Sequence, residues 1–311
     1  MKKEKAQTGA ALLMAMLTVT LVATFAAAAM WQQWRAVEVE AAERGRVQSA
    51  WILVGALDFS RLILREDARS GGPDHLAEPW AVPLQESRLS TFLAAENNVS
   101  QVDDASTDTT EAFLSGQITD MQGRLNLTNI AMGEEKGQEQ LARLFEHLGL
   151  PQHELALLTQ GLRQAQAGKD GAAPLRPPTV SQLGWLGLSP ATVATLAPYV
   201  AILPGQSLIN ANTAPTEVLL AAIEGLDMAG AQKIVQARES RHFRSANEVK
   251  TLLGGHIDCA CEVKSSYFEV RGRLRIGDTM VDERSLVRRE ASGQVTTLWR
   301  ERGAFDREPT P

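Results

Sequence analysis

The chain has 311 residues, 31 Lys plus Arg against 37 Asp plus Glu, and a formal net charge of -6. That balance argues against a general nucleic-acid coat, and two cysteines, Cys259 and Cys261, are too few for a disulfide-stapled scaffold. Hydrophobic residues at 44% suit a folded chain with room for one large or two modest domains.

The N-terminus carries the strongest signal. Lys2, Lys3 and Lys5 stand against Glu4, and after Gly9 the residues 10–30 contain no charge, Pro or Gly. At ~1.5 Å per residue that run crosses a hydrocarbon core as a helix, and the basic flank holds the N-terminus on the cytoplasmic side. A cleavable secretory signal also has a basic start, but its apolar run is shorter. Here helical spacing continues through Val47, Ala50, Trp51, Val54 and Leu57 towards Glu66. The pattern predicts one helix of roughly 55 residues, about 80 Å long. Trp31 and Trp34 suit an interfacial aromatic belt and equally a buried soluble face. Gly71-Gly72-Pro73 ends the helix.

The Thr8-Gly9-Ala10 junction resembles the cleavage site of type IV prepilins and pseudopilins. The resemblance implies that a membrane prepilin peptidase cuts after Gly9 and methylates the amine of Ala10. Most pilin-like subunits carry Glu at the fifth mature residue, whereas counting from Ala10 the fifth here is Met14. A carboxylate in the bilayer costs on the order of 2.5 kcal/mol or more and is kept where a cation meets it. In that family the cation is a neighbour's amine. A subunit with none ahead of it needs no carboxylate, so Met14 marks a filament tip, or else is one more apolar residue in a membrane helix.

Residues 74–115 have a weak, proline-broken pattern, with a polar acidic loop at 97–110. A strand is expected at 112–119, a turn at Asp120-Met121-Gln122-Gly123, and a returning strand at 124–127. Helical periodicity then covers 139–149 and 152–166, with Pro151 at the second start. Residues 167–178 read as a Gly/Pro-rich loop, and a helix over 189–199 has Ser189 as N-cap and Pro190 at its first position.

Residues 208–254 read as a helix-hairpin-helix: Thr213-Ala214-Pro215 as cap and start, helices at 217–223 and 229–239, and Gly225-Leu226-Asp227 as the hairpin. DNA-binding versions place Gly-x-Gly there, so that bare amides approach a phosphate; Asp227 would repel one. Between 215 and 254 five acids face five bases, without the basic excess that phosphate binding relies on. Arg238, Arg241 and Arg244 are the remaining sign of DNA contact; the plain alternative is a solvated helix end. After Cys261 the period becomes two, which predicts an antiparallel meander with strands at 266–276, 282–290 and 294–300 around a Gly277-Asp278 turn.

The segment 116–130 (GQITDMQGRLNLTNI) and the Asn210–Ala214 stretch (NANTA) resemble the K-type minor pseudopilins of type II secretion. That resemblance covers nearly the whole chain and implies an α+β fold. A pilin-like long helix on an antiparallel sheet would carry a large inserted all-α domain with a SAM-like helix-hairpin-helix. The implied divisions are a leader at 1–9, the membrane and spine helix at 10–66, the pilin-like domain at 67–127 and 263–303, the insertion at 128–262 and a disordered tail at 304–311. The resemblance further implies an inner-membrane protein with its main domain in the periplasm, capping the secretion pseudopilus. Expected partners are the I- and J-type minor pseudopilins, the major pseudopilin, the assembly platform and the prepilin peptidase. The rival reading is a membrane-anchored helix-hairpin-helix DNA receptor.

No enzyme is expected. The five histidines, His75, His147, His153, His242 and His256, are scattered without a metalloprotease, nucleophile-elbow or phosphate-loop motif. His256, Asp258, Cys259 and Cys261 offer metal-ligand types but lack a second ligand pair; a loop thiol pair, oxidised outside the cytoplasm, is the alternative. No cofactor is assigned. K-type relatives can hold Ca2+ in the helical domain, but Asp170 is the one acid in the corresponding stretch, so that site is not carried over.

Overall fold

A computed structural model describes residues 8–91, 112–168, 174–255, 257, 259–277 and 279–303. The expected leader segment 1–7, the acidic loop at 97–110, Asp170, His256, Asp258, Asp278 and the tail at 304–311 lie outside the described residues. The chain forms two compact units, 1–52 and 53–311.

The described residues of the first unit lie within helix α1 (Thr8–Ser70), 63 residues long in all. Every residue from 10 to 44 is exposed, and the most apolar stretch of the helix has a mean hydropathy of 2.2. An apolar surface of that extent with no protein over it is what a bilayer covers.

In the second unit the end of α1 buries Leu53, Leu57 and Leu64, which recur at helical intervals and so share one face. The helix stops where Gly71 takes φ +68° and its N–H reaches Asp67 O at 3.2 Å. That is the left-handed geometry expected of a glycine past a helix C-terminus.

Five antiparallel strands form the main sheet in the order β1-β2-β7-β8-β9. They are β1 (Leu84–Arg88), β2 (Ala112–Asp120), β7 (Tyr267–Ile276), β8 (Thr279–Arg289) and β9 (Val295–Gly303). The alternation read after Cys261 is realised as the β7-β8-β9 meander. β1 falls in the stretch whose prolines hid any pattern. Pro83 precedes it and the strand sits at the sheet edge, where a missing ladder donor is tolerated.

The partner of β2 is β7, in register from Ala112↔Ile276 to Asp120↔Phe268. The returning strand expected at 124–127 is therefore corrected. Only β3 (Leu125–Asn126) is extended, and it pairs in parallel with β4 (Val200–Ala201). A 3-10 turn over Met121–Gly123 turns the chain away from the sheet.

Between β2 and β7 lies the helical region: α2 (Leu127–Ala131), α3 (Glu135–His147), α4 (Gln152–Ala167), α5 (Pro190–Leu196), α6 (Thr216–Ala222), α7 (Met228–Ser240) and α8 (Ala246–Leu252). A further two-stranded pair joins β5 (Ile209–Asn210) to β6 (Cys261–Glu262). α5 has Ser189 as N-cap, its side chain accepting from Thr192 N, but ends at Leu196 because Val200 is needed in β4. Leu144, Leu158, Leu183, Leu196 and Val218 share one core there. A separate core joins Leu57 and Leu64 of α1 to Trp80, Ile118, Phe268 and Val287. Trp80 meets Phe268 edge to face at 5.2 Å.

Gly272 sets how near α1 lies to the sheet, since a Cβ there would stand 3.2 Å from Leu53 Cδ2. Leu64 is fully buried, so Leu64→Ala should cost about 2–5 kcal/mol as a cavity beneath the helix. Chemical denaturation of the full chain in detergent measures it.

Candidate functional site: a buried polar node and the helix-hairpin-helix

The Asp120 side chain, at the end of β2, is buried and surrounded by donors. Its Oδ2 accepts from Thr213 Oγ1 (2.6 Å), Ser265 Oγ (2.6 Å) and Asn210 Nδ2 (3.0 Å), and its Oδ1 from Gln122 N (2.8 Å). Burial raises the Asp120 carboxyl above its ordinary value, and those hydrogen bonds pull the other way. Asn210 also donates to Asp74 O (3.1 Å), in the loop after α1. Asp74 Oδ2 accepts from Ser265 N (2.7 Å), and Arg289 of β8 bonds Asp74, Ser265 O (2.9 Å) and Asp67 of α1 (2.5 Å). Helix, sheet and helical region thus meet at one charged, hydrogen-bonded centre.

The two motif segments read from sequence are the two sides of this node. From the first, Gln122 accepts from Ser266 N through Oε1 (2.6 Å), and Gly123 leaves only 3.0 Å between a would-be Cβ and Thr213 Oγ1. Asn126 Oδ1 accepts from Thr128 N and Leu203 N, and its Nδ2 donates to Gly205 O. From the second, Asn212 exchanges two hydrogen bonds with Phe243, accepting from its N (2.8 Å) and donating to its O (3.0 Å). Thr213, expected as the cap of α6, instead gives its hydroxyl to the buried Asp120 carboxylate, the stronger acceptor, and α6 starts without a side-chain cap. Sequence reasoning missed Asp74, Ser265 and Arg289, since nothing local marks them.

Helices α6 and α7 form the expected hairpin. Asp227, the acid in place of a phosphate-facing glycine, caps α7 by accepting from Gly230 N at 2.7 Å. The three arginines do not form one patch. Arg238 is largely buried and donates to Ala211 O (2.9 Å) and Ala214 O (2.6 Å), and burial pulls its pKa down to about 10. This corrects the solvated-end reading for Arg238: its guanidinium satisfies loop carbonyls that would otherwise be orphaned. Arg241 stays exposed, 3.9 Å from Glu248, whose Oε2 also accepts from Arg244 N.

Family models described as "Type II secretion system (T2SS), protein K" match residues 123–205 and 209–257, the two flanks of the node. The type II secretion system protein K of Pseudomonas aeruginosa is 28% identical over an alignment spanning 96% of this chain and 94% of that protein. The chain belongs to the type II secretion system protein K family. The protein K of Klebsiella pneumoniae is 28% identical, with 77% of each chain covered, and that of Aeromonas hydrophila 25%, with 62% of this chain and 72% of that one. Among solved structures, a chain of the GspK-GspI-GspJ complex of enterotoxigenic Escherichia coli matches with a TM-score of 0.63 at 16% identity. It covers 85% of this chain and 99% of its own length, so the protein K fold is shared.

The apolar N-terminal helix fits a single-pass inner-membrane anchor. Gly9 and Ala10, the expected processing residues, lie in the first turns of α1, and Met14 is exposed on the same helix. Cys259 and Cys261 are joined in a disulfide with Cα atoms 5.1 Å apart. Sulfurs bonded to one another offer no thiolate, so the metal reading of this pair is replaced by the oxidised one.

The carboxylates of Asp67, Asp74 and Glu78 approach within 4.8 Å of one another. Arg289 supplies their positive charge through its bonds to Asp67 and Asp74. Glu78 Oε2 accepts from Trp80 Nε1 (2.7 Å) and His75 N (2.9 Å). Burial pushes the Glu78 carboxyl up to about 7, and the neighbouring Asp67 adds to this.

Two predictions follow from this geometry. Arg289→Met should cost about 3–5 kcal/mol by leaving buried carboxylates without their cation, and Arg289→Lys should not fully restore it, since an ammonium lacks the guanidinium fork; denaturation midpoints measure both. A carboxyl with a raised folded pKa favours the native state below its unfolded value, 4.5, and loses that contribution as pH rises through about 7. Glu78→Gln should therefore flatten the decline of melting temperature between about pH 4.5 and about pH 7.

Proposed function

We propose that this protein K is the tip subunit of the type II secretion pseudopilus, held in the inner membrane by α1 with its N-terminus in the cytoplasm and its folded body in the periplasm. The observation that carries the reading is the uninterrupted apolar run from Ala10 to Met30, with Met14 where a pilin-like subunit would keep a carboxylate. An inserted helix without that acid has nothing to offer the amine of a subunit ahead of it, which suits the leading position. The membrane prepilin peptidase would cut after Gly9, and Ala10 would become the methylated terminus. The domain divisions read from sequence are part of the same proposal.

The partners we propose are I- and J-type minor pseudopilins, followed by the major pseudopilin and the assembly platform. The similar fold in a GspK-GspI-GspJ complex supports the first two. The work of this chain is assembly rather than catalysis. The DNA-receptor alternative is less well supported: Asp227 is engaged as a helix cap and Arg238 is turned inward onto carbonyls.

Intact mass of the membrane-extracted protein should correspond to a chain beginning at methylated Ala10. Crosslinks from the soluble body should reach I- and J-type subunits at one end of the fibre only. Retention of residues 1–9 in a working exporter, or crosslinks to major subunits on both sides along the fibre, contradicts the tip assignment. A duplex-DNA shift at low salt that fades as salt rises would favour the receptor reading.

A further inference from the structure

His75, in the loop leaving α1, and His242, between α7 and α8, lie face to face with ring centroids 3.8 Å apart and planes 9° from parallel. We propose that this stack is an acid-sensitive latch, in which protonation of His75 opens the contact between the loop after α1 and the end of the helix-hairpin-helix.

The geometry requires a neutral His75 ring. His75 Nδ1 accepts from Ala77 N at 3.3 Å, a bond that only an unprotonated Nδ1 makes. His75 N is tied to Glu78 Oε2, so the ring is held by its own loop. On the other side, Asn212 fixes the backbone of Phe243, next to His242, through both N and O. The His75 ring cannot swing aside without breaking its bond to Ala77 N. A proton on His75 breaks the Ala77 bond and sets a cation face to face with the His242 ring.

The charged groups on the surrounding elements are Asp67 of α1, Asp74 and Glu78 of the loop, Arg289 of β8, and Arg241, Arg244 and Glu248 of the helix-hairpin-helix. Arg289 is committed to Asp67 and Asp74, and Glu248 lies beside Arg241. Burial lowers the His75 pKa from its ordinary 6.5, the charge of His242 lowers it further, and Asp67 acts in the opposite sense. A depressed imidazole contributes stability that is full above its unfolded value and lost as pH falls through the folded one. Glu78 acts in the reverse direction, so the contact is strongest in a window between the two titrations.

The latch stands apart from the tip assignment and is tested on the full chain in detergent micelles by hydrogen exchange. The readouts are the protection factors of the Ala77 and Phe243 amides, each normalised to its intrinsic rate at the same pH. In Glu78→Gln, which removes the opposing titration, protection at both amides should fall several-fold between about pH 7.5 and about pH 5.5, up to the roughly tenfold that one imidazole can supply. His242→Phe keeps a ring for the stack without a titrating nitrogen, and His75→Gln keeps an acceptor for Ala77 N–H. Adding His75→Gln to Glu78→Gln, if folded, should hold the protection across that range within about twofold, whereas His242→Phe leaves the His75 nitrogen in place and should keep the fall at Ala77. Protection in Glu78→Gln that ignores pH, or a fall of equal size once His75→Gln is added, overturns the latch.

Discussion

The buried Asp120 carboxylate is the constraint on which the body of this protein K depends. It receives four donors from four points of the chain: Gln122 N, Asn210 Nδ2, Thr213 Oγ1 and Ser265 Oγ. A buried charge of this kind is tolerable only with every partner in place. The donors must therefore arrive together, which fixes the end of β2, the entry to α6 and the start of β7 against one another. Arg289 adds Asp67 and Asp74, and so the end of α1, to the same set. Apolar packing alone would leave the two cores free to slide, because dispersion and hydrophobic contact are not directional.

The same economy explains what the arginines do. Arg61 donates to Val295 O through two nitrogens, Arg238 to Ala211 O and Ala214 O, and Arg124 to Ala197 O. On the sheet, Arg271, Arg273 and Arg284 pair with Glu269, Asp282 and Glu301. Guanidinium forks suit such work because their donors are fixed and the charge is always present. With Arg238 turned onto its own loop carbonyls and five acids balancing five bases, this helix-hairpin-helix lacks the electrostatic footprint of a phosphate binder. The motif serves here as a rigid structural unit, with Asp227 closing the second helix rather than exposing its amides.

Much of the architecture was legible because it is written in local periodicity. The apolar run of α1, the Ser189 cap, the two-residue alternation of β7 to β9 and the Gly71 stop each require only neighbours in sequence. The candidate site was legible by halves. Asp120 and Asn210 both lay in segments noticed for their resemblance, but nothing local says that they touch. Thr213 looked like an ordinary cap until a buried carboxylate competed for its hydroxyl, and β1 was hidden by the prolines around it.

By itself the sequence determined the apolar N-terminal helix and its charged flank, the late alternating strands, the helix-hairpin-helix and the absence of a basic excess over it, since composition and spacing decide these before any long-range contact forms. Tertiary structure alone decided that β2 pairs with β7, that Ser265 reaches Asp74 across 191 positions and Asp120 across 145, and that His75 lies on His242. Those pairings depend on where distant segments are carried by the fold, and chain-local chemistry holds no record of it.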